Sequence, residues 1–419
     1  MSAFIINGGR RISGSVKVQG SKNSVLPILA ATYLVGGKSV IHNCPKLSDT
    51  NSTVKILQAL GCVVTRKGNT IIVDSTDAGG YEIPESLMRE MRSSVIFLGA
   101  IIGRMKKAVI SAPGGCEIGL RPIDLHLYAV KRLGVKVDEE FGRLNCSVPV
   151  RLKGKKITFS FPSVGATENA ILTAVTATGS TTIVNAAREP EIIDLCDYLN
   201  KCGADISGAG ESIITINGKE TLIACEHSVI ADRIASATYL LAGAVTGGDV
   251  SLENADPIHL NAIIPLLEEA GCNVNIRCKT VRLKAPQRPL RIDKIVTQPY
   301  PGFPTDAQAP FTTLAAVAKG TSVIVENIFE SRFKHVPELL RMGAKIKTEG
   351  RVAVVDGVER LYGADVVSPD LRGGAALVLA GLCAMGQTTV RNTLYIDRGY
   401  DDIENTLCSL NADIKRKVI

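Results

Sequence analysis

A helix-ending signal followed by a strand recurs six times along the chain. It stands at Leu60-Gly61-Cys62, Leu133-Gly134-Val135, Cys202-Gly203-Ala204, Ala270-Gly271-Cys272, Met342-Gly343-Ala344 and, with Asn in place of Gly, Leu410-Asn411-Ala412. The period is about 70 residues, the mark of an internally repeated architecture. A second signal runs in phase: a short β-branched strand ending in Asn, at Val40 to Asn43, Ile183 to Asn185, Val250 to Asn254, Val323 to Asn327 and Thr388 to Asn392. In the second unit a Pro-Gly-Gly-Cys loop replaces the Asn signal, which sets that loop apart as an insertion.

Within each unit the pattern predicts strand, helix, strand, helix and two further strands, a βαβαββ order. The first helix is apolar nearly all round, as in Leu26 to Leu34, Ser94 to Ile102, Ala166 to Thr178, Ile234 to Val245, Phe311 to Ala318 and Gly374 to Ala384. Helices of that kind are buried. The second helix is amphipathic, as in Thr53 to Leu60 with Val54, Leu57 and Leu60 on one side. Gly after a helix fits a left-handed C-cap, and Asn after a short strand fits a turn. The expectation is an α/β chain with helices inside and sheets facing outward. At 419 residues it exceeds what one core supports, so the six units divide as three and three.

Composition removes several classes of function. Apolar runs such as Ala375 to Met385 fall short of the ~20 residues needed to span a bilayer, and no cationic segment followed by a long apolar one opens the chain. A cytoplasmic protein without a membrane partner is expected. The net charge of +7 is spread along the chain, aromatics are 4% and Trp is absent. A nucleic-acid binder would want a basic stripe with interleaved aromatics, so small anionic ligands are the better expectation. The 11 cysteines form neither a Cys-x-x-Cys pair nor a zinc-like cluster, so no metal is implied.

Candidate chemistry gathers at strand and helix ends. Pro113, Gly114, Gly115 and Gly119 make a loop with Cys116 at its tip, and Pro122 fits the first position of a helix carrying Ile123, Leu127, Val130 and Leu133. That helix start, beside Arg121, is a candidate anion site, and positive surroundings would lower the Cys116 pKa. The other reading is a surface loop with an incidental cysteine. Lys22, in Gly20 to Ser24, opposes the dipole of the helix it starts and calls for an anion, unless it is an exposed turn lysine. Arg92 leads into a buried helix and wants a partner, with Glu90 the nearest candidate. Asp306 ends a Pro-rich loop as either a base or an N-cap. Arg332, Arg372 and Arg398 recur at equivalent places in later units and suit a ligand with several anionic groups. His126 is read as a phosphate-orienting residue or a helix-surface histidine. The Gly36 to Ser39 run lacks the glycine spacing of a P-loop, and neither a dinucleotide fingerprint nor a serine-hydrolase elbow is present.

Seven ordered stretches carry a resemblance: Gly20 to Asn23, Met91 to Ser93, Pro113 to Leu127, Pro301 to Asp306, Phe329 to Leu339, Asp370 to Arg372 and Ile396 to Tyr400. Over essentially its whole length the chain resembles the enolpyruvyl transferases that act on UDP-N-acetylglucosamine. The sister family of the shikimate pathway shares the fold but lacks the Cys loop.

The resemblance implies a two-domain inside-out α/β barrel, with residues 22–230, including the lid loop 111–121, in one domain and residues 1–21 plus 231–419 in the other. The active site would lie in the cleft between them. Phosphoenolpyruvate would meet Lys22, Asn23, Arg121, Arg332, Arg372 and Arg398. UDP-N-acetylglucosamine would meet Asn23, Arg92, Arg121, Pro122, Ile123, Asp124, Leu125, Ser163, Val164, Gly165, Asp306 and Ile328. Lys22 and Arg398 are counted with Asp306 and Cys116 as catalytic. Asp306 would serve as base, and Cys116 as general acid or as the thiol that traps phosphoenolpyruvate covalently. No cofactor and no obligate protein partner are implied. Departures are Phe161 and Pro162 before Ser163, Tyr300 in place of a common histidine, and Pro310 near the start of a helix. The alternatives are the shikimate-pathway transferase, an enzyme of RNA ends built from related repeats, and an inactive binding paralogue.

Overall fold

The computed structural model describes residues 2–111 and 122–418, so Cys116 and Arg121 lie outside the described residues. The chain divides into two compact units, one holding the residues up to Gln19 and from Ala231 onward, the other running from Gly20 to Ile230. Each has its own apolar core, built around Val25, Phe97 and Ile171 in the Gly20–Ile230 unit and around Leu241, Phe311 and Leu379 in its counterpart.

Three sheets are described in each unit. In one of them, Glu226–Ser228 pairs in parallel with Lys38–His42, which pairs antiparallel with Thr70–Asp74 and through it with Val63–Lys67. The same order, one short parallel strand followed by antiparallel ones, appears where Lys156–Thr158 meets Ser180–Val184 and where Ser13–Lys17 meets Asp249–Glu253. A parallel pair cannot be joined by a tight turn and needs a crossover; between Lys156–Thr158 and Ser180–Val184 the buried helix Val164–Ala174 supplies it, whereas the other two pairs join strands far apart in the chain. Lys22–Val35, Phe97–Met105 and Val164–Ala174 pack on one another in one unit, and Arg233–Thr246, Thr305–Val317 and Leu371–Cys383 in the other. Because these helices are apolar on every side, three of them can share one centre while the sheets turn an alternating face to solvent.

The glycine signals behave as expected: Gly61, Gly134, Gly203, Gly271, Gly343 and Asn411 all have positive φ. The asparagine signals hold at Asn43, Asn185, Asn254 and Asn392, with φ between 57 and 61°. Asn327 is not among the left-handed residues; there a side chain, Glu326, organises the turn instead.

Helix starts differ from the expectation, with consequences for the site. Asp306 is not an N-cap: Pro304 occupies that place and Asp306 lies in the first turn of Thr305–Val317. Arg372 likewise lies inside Leu371–Cys383, capped by Asp370, whose Oδ1 accepts from the Arg372 and Gly373 amides at 3.0 Å. Pro122 is not the first helical residue, since the helix runs Asp124–Arg132 and opens on a carboxylate. Pro310 does not end its helix; it is buried inside it.

Candidate active site

In the Gly20–Ile230 unit the chain enters its first buried helix through a close backbone contact. A Cβ at Gly20 would lie 1.7 Å from the Asn43 carbonyl oxygen, so only glycine fits. Two residues on, Lys22 opens the helix with its ammonium 2.8 Å from Asp49, and both side chains are largely buried. The anion that the sequence demands beside Lys22 is therefore supplied in part by the protein. Asp49 itself sits in the first turn of Ser48–Ala59, where the helix dipole favours a carboxylate. Asn23 is half-buried beside Lys22.

His126 is buried, not a surface residue of its helix. Its Nδ1 accepts from Asn169 Nδ2 at 2.7 Å, and its ring fills the space a Cβ of Gly165 would need. Asn169 also donates to the Val95 carbonyl at 3.1 Å and accepts from the Gly99 amide at 2.6 Å. One buried amide thus ties together the turn that Arg92 begins, the helix that follows Pro122 and Ile123 and carries Asp124 and Leu125 in its first turn, and the helix capped by Ser163 that carries Val164 and Gly165. Ser163 caps its own helix, accepting from the Ala166 amide. Glu90, the proposed partner of Arg92, is engaged by Ser52 and Lys55.

In the other unit Asp306 is held by two buried cations. Its Oδ1 accepts from Arg332 at 2.7 Å and its Oδ2 from Arg372 at 3.0 Å; each guanidinium is 3% exposed against 28% for the carboxylate. Arg332 also donates to the Thr305 carbonyl, which fixes it to the residue before Asp306. Arg372 retains two buried N–H groups without a hydrogen-bond partner among the described residues, as does one oxygen of Asp370. Arg398 is half-buried at the end of the short helix Thr393–Arg398. Ile328 donates its amide to Glu326 at 2.8 Å.

Burial pushes the His335 imidazole from 6.5 down to about 4, with Asp370 opposing that shift and Arg332 adding to it. The sign of the linkage follows. Between those two values the unfolded chain binds a proton that the folded chain refuses, so this stability is complete above pH 6.5 and lost as the pH falls toward 4. Thermal unfolding midpoints measured across that range should fall by the equivalent of up to roughly 3 kcal/mol, and His335→Leu should flatten the decline.

The ten described cysteines are free thiols, and burial pushes Cys44, Cys196, Cys202, Cys272 and Cys383 up to about 12. The buried ones serve as small hydrophobes, as expected, whereas Cys278 and Cys408 are exposed. No helix among the described residues is long and apolar enough to cross a membrane, and no group of His, Cys, Asp and Glu among them could hold a metal ion.

Residues 6–407 match the family model for EPSP synthase (3-phosphoshikimate 1-carboxyvinyltransferase). The chain belongs to the EPSP synthase family. Among its relatives in that family, "UDP-N-acetylglucosamine 1-carboxyvinyltransferase 2" of Caldanaerobacter subterraneus subsp. tengcongensis is 51% identical over 416 residues, covering 99% of this chain and 100% of the relative. "UDP-N-acetylglucosamine 1-carboxyvinyltransferase 1" of Symbiobacterium thermophilum is 49% identical, covering 99% of this chain and 95% of the relative. The crystal structure of the enolpyruvyl transferase NikO from Streptomyces tendae superposes with a TM-score of 0.90 at 28% identity, covering 100% of this chain and 99% of NikO. EPSP synthase from Acinetobacter baumannii, at 18% identity and a TM-score of 0.74, shares the fold.

Three residues that hold the candidate site residues in place, Asp49, Asn169 and Glu326, are absent from the sequence-based expectations. Asp49 carries a weak signal, standing just after Ser48 at a helix start. Asn169 carries none, because its partners come from elements remote in sequence, and the same holds for the Thr297 and Thr305 hydroxyls that Glu326 binds besides the nearby Ile328 and Phe329 amides.

Proposed function

We propose that the chain transfers the enolpyruvyl group of phosphoenolpyruvate to the 3-hydroxyl of UDP-N-acetylglucosamine and releases phosphate, in peptidoglycan synthesis. The observation that carries this reading is the Asp306 carboxylate between the Arg332 and Arg372 guanidinium groups, in a chain about half identical to two transferases of that name. The shikimate-pathway alternative has weaker support, since the EPSP synthase neighbour is only 18% identical.

The chemistry is addition followed by elimination. The sugar 3-oxygen attacks C2 of phosphoenolpyruvate while its proton leaves to a base and C3 gains a proton. The resulting tetrahedral ketal loses a proton from C3 and breaks the C2–O bond to phosphate, which restores the double bond. Asp306 is the base in this scheme, its carboxylate fixed in place by the Arg332 and Arg372 guanidinium groups. Arg332 and Arg372 would take the carboxylate of phosphoenolpyruvate, and the two spare N–H groups on Arg372 favour that role. Lys22, Arg121 and Arg398 would take its phosphate, with Asn23 beside them. Arg92, residues 122–125, Ser163 to Gly165 and Ile328 would take the nucleotide sugar. Cys116 would act as general acid or form the covalent adduct.

The reading also carries the architecture it needs: two halves of an inside-out barrel, each of three βαβαββ repeats, contributing groups to one substrate pair. The test is incubation with both substrates and assay of released phosphate. Release that needs both substrates and is abolished by Cys116→Ser and by fosfomycin is expected. No release from the folded chain, or release indifferent to UDP-N-acetylglucosamine, would overturn it.

A further inference from the structure

We infer that Glu326 is a positioning residue for this site, holding the base-bearing helix start and the nucleotide-sugar turn in one register. The inference rests on the function proposed above. Glu326 is fully buried at the end of Thr321–Val325, and its carboxylate accepts four hydrogen bonds. Oε1 takes Thr297 Oγ1 at 2.9 Å, the Ile328 amide at 2.8 Å and the Phe329 amide at 3.1 Å; Oε2 takes Thr305 Oγ1 at 2.9 Å.

Those donors come from three stretches of chain, the first of which is also tied to the strand before Glu326 by the Thr297 amide donating to the Val325 carbonyl at 3.0 Å. Thr297 leads into the Pro-rich loop, and its hydroxyl also accepts from the Asn327 amide at 2.8 Å. Thr305 is the residue before Asp306, and its carbonyl receives Arg332. Ile328 and Phe329 form the turn that leads to Arg332. A buried carboxylate is costly unless its lone pairs are filled, and here they are filled by the segments that carry the base, its cation and a sugar-contacting residue. This hub also accounts for the one asparagine signal that lacks a left-handed turn.

The chemistry of the acceptor makes the test selective. In Glu326→Gln the amide oxygen can keep the Thr297, Ile328 and Phe329 bonds, while the amide nitrogen faces the Thr305 hydroxyl, which can rotate to accept. In Glu326→Ala four donors, one buried and three half-buried, lose their acceptor. With the full chain, phosphoenolpyruvate and UDP-N-acetylglucosamine, Glu326→Ala should raise the KM for the nucleotide sugar about tenfold or more and lower kcat per folded molecule, while Glu326→Gln stays within about threefold of the parent. Amide exchange at Ile328 and Phe329 should be slow in the parent and in Glu326→Gln and fast in Glu326→Ala.

If Glu326→Ala does not fold, Thr305→Val removes the Oε2 bond alone and should reproduce the kcat loss. A lowered melting temperature with unchanged KM and kcat would overturn the inference, as would a Gln variant as impaired as Ala. Should the parent release no phosphate at all, the proposed function falls, and amide protection at Ile328 and Phe329 still decides whether Glu326 holds the turn.

Discussion

Asp306→Asn should lower phosphate release by about 10³-fold, within the usual contribution of a general base. The substitution keeps the size of the side chain and one acceptor oxygen, but its amide nitrogen must face a guanidinium of Arg332 or Arg372, donor against donor. Two buried cations then lose the carboxylate they share, and breaking such a pair costs several kcal/mol when fully buried. Because Asp306 is 28% exposed, solvent screens part of this, and a loss of about 1–3 kcal/mol is the expected size. Phosphate release and thermal unfolding measured on the same preparation separate the two effects. An Asn variant that keeps a tenth or more of the parent's turnover would remove Asp306 from the role of base.

Gly20→Ala should cost about 3 kcal/mol or more, the upper end of overpacking effects. The added methyl would lie 1.7 Å from the Asn43 carbonyl oxygen and 2.9 Å from its carbon, and both atoms are backbone in a turn held by Asn43 Nδ2 donating to the Val229 carbonyl at 2.9 Å. Nothing there can swing aside, so the segment carrying Lys22 and Asn23 has to move. Urea denaturation gives the stability loss, and the KM for phosphoenolpyruvate should rise with it as Lys22 shifts relative to Asp49. A Gly20→Ala chain with parental stability would mean that the backbone crossing at Asn43 is looser than its geometry.

The ends of helices and strands were legible because their punctuation is local: glycine and asparagine there answer to φ, and φ is a property of the residue itself. The buried helices were legible for the same reason, their apolar character needing no knowledge of a partner. Asp306 stands two residues past the N-cap Pro304, and that offset decides whether its carboxylate caps an amide or meets two guanidinium groups. Lys22 announced a need for an anion, but its partner Asp49 comes from the next helix. Glu326 resembles Glu253, which precedes Asn254 in the same way yet is exposed on its strand; only the fold separates the two.

The strand Ser2–Asn7 lies between Gln387–Arg391 and Asp413–Val418, in a sheet that joins the start of the chain to its finish. On the ribosome, the stretch from Gly20 to Ile230 has all its strand partners once Ile230 has emerged, whereas Ser2–Asn7 pairs only with residues 387–391 and 413–418. The Gly20–Ile230 unit can therefore complete its sheets while both edges of Ser2–Asn7 still wait for their neighbours to be translated.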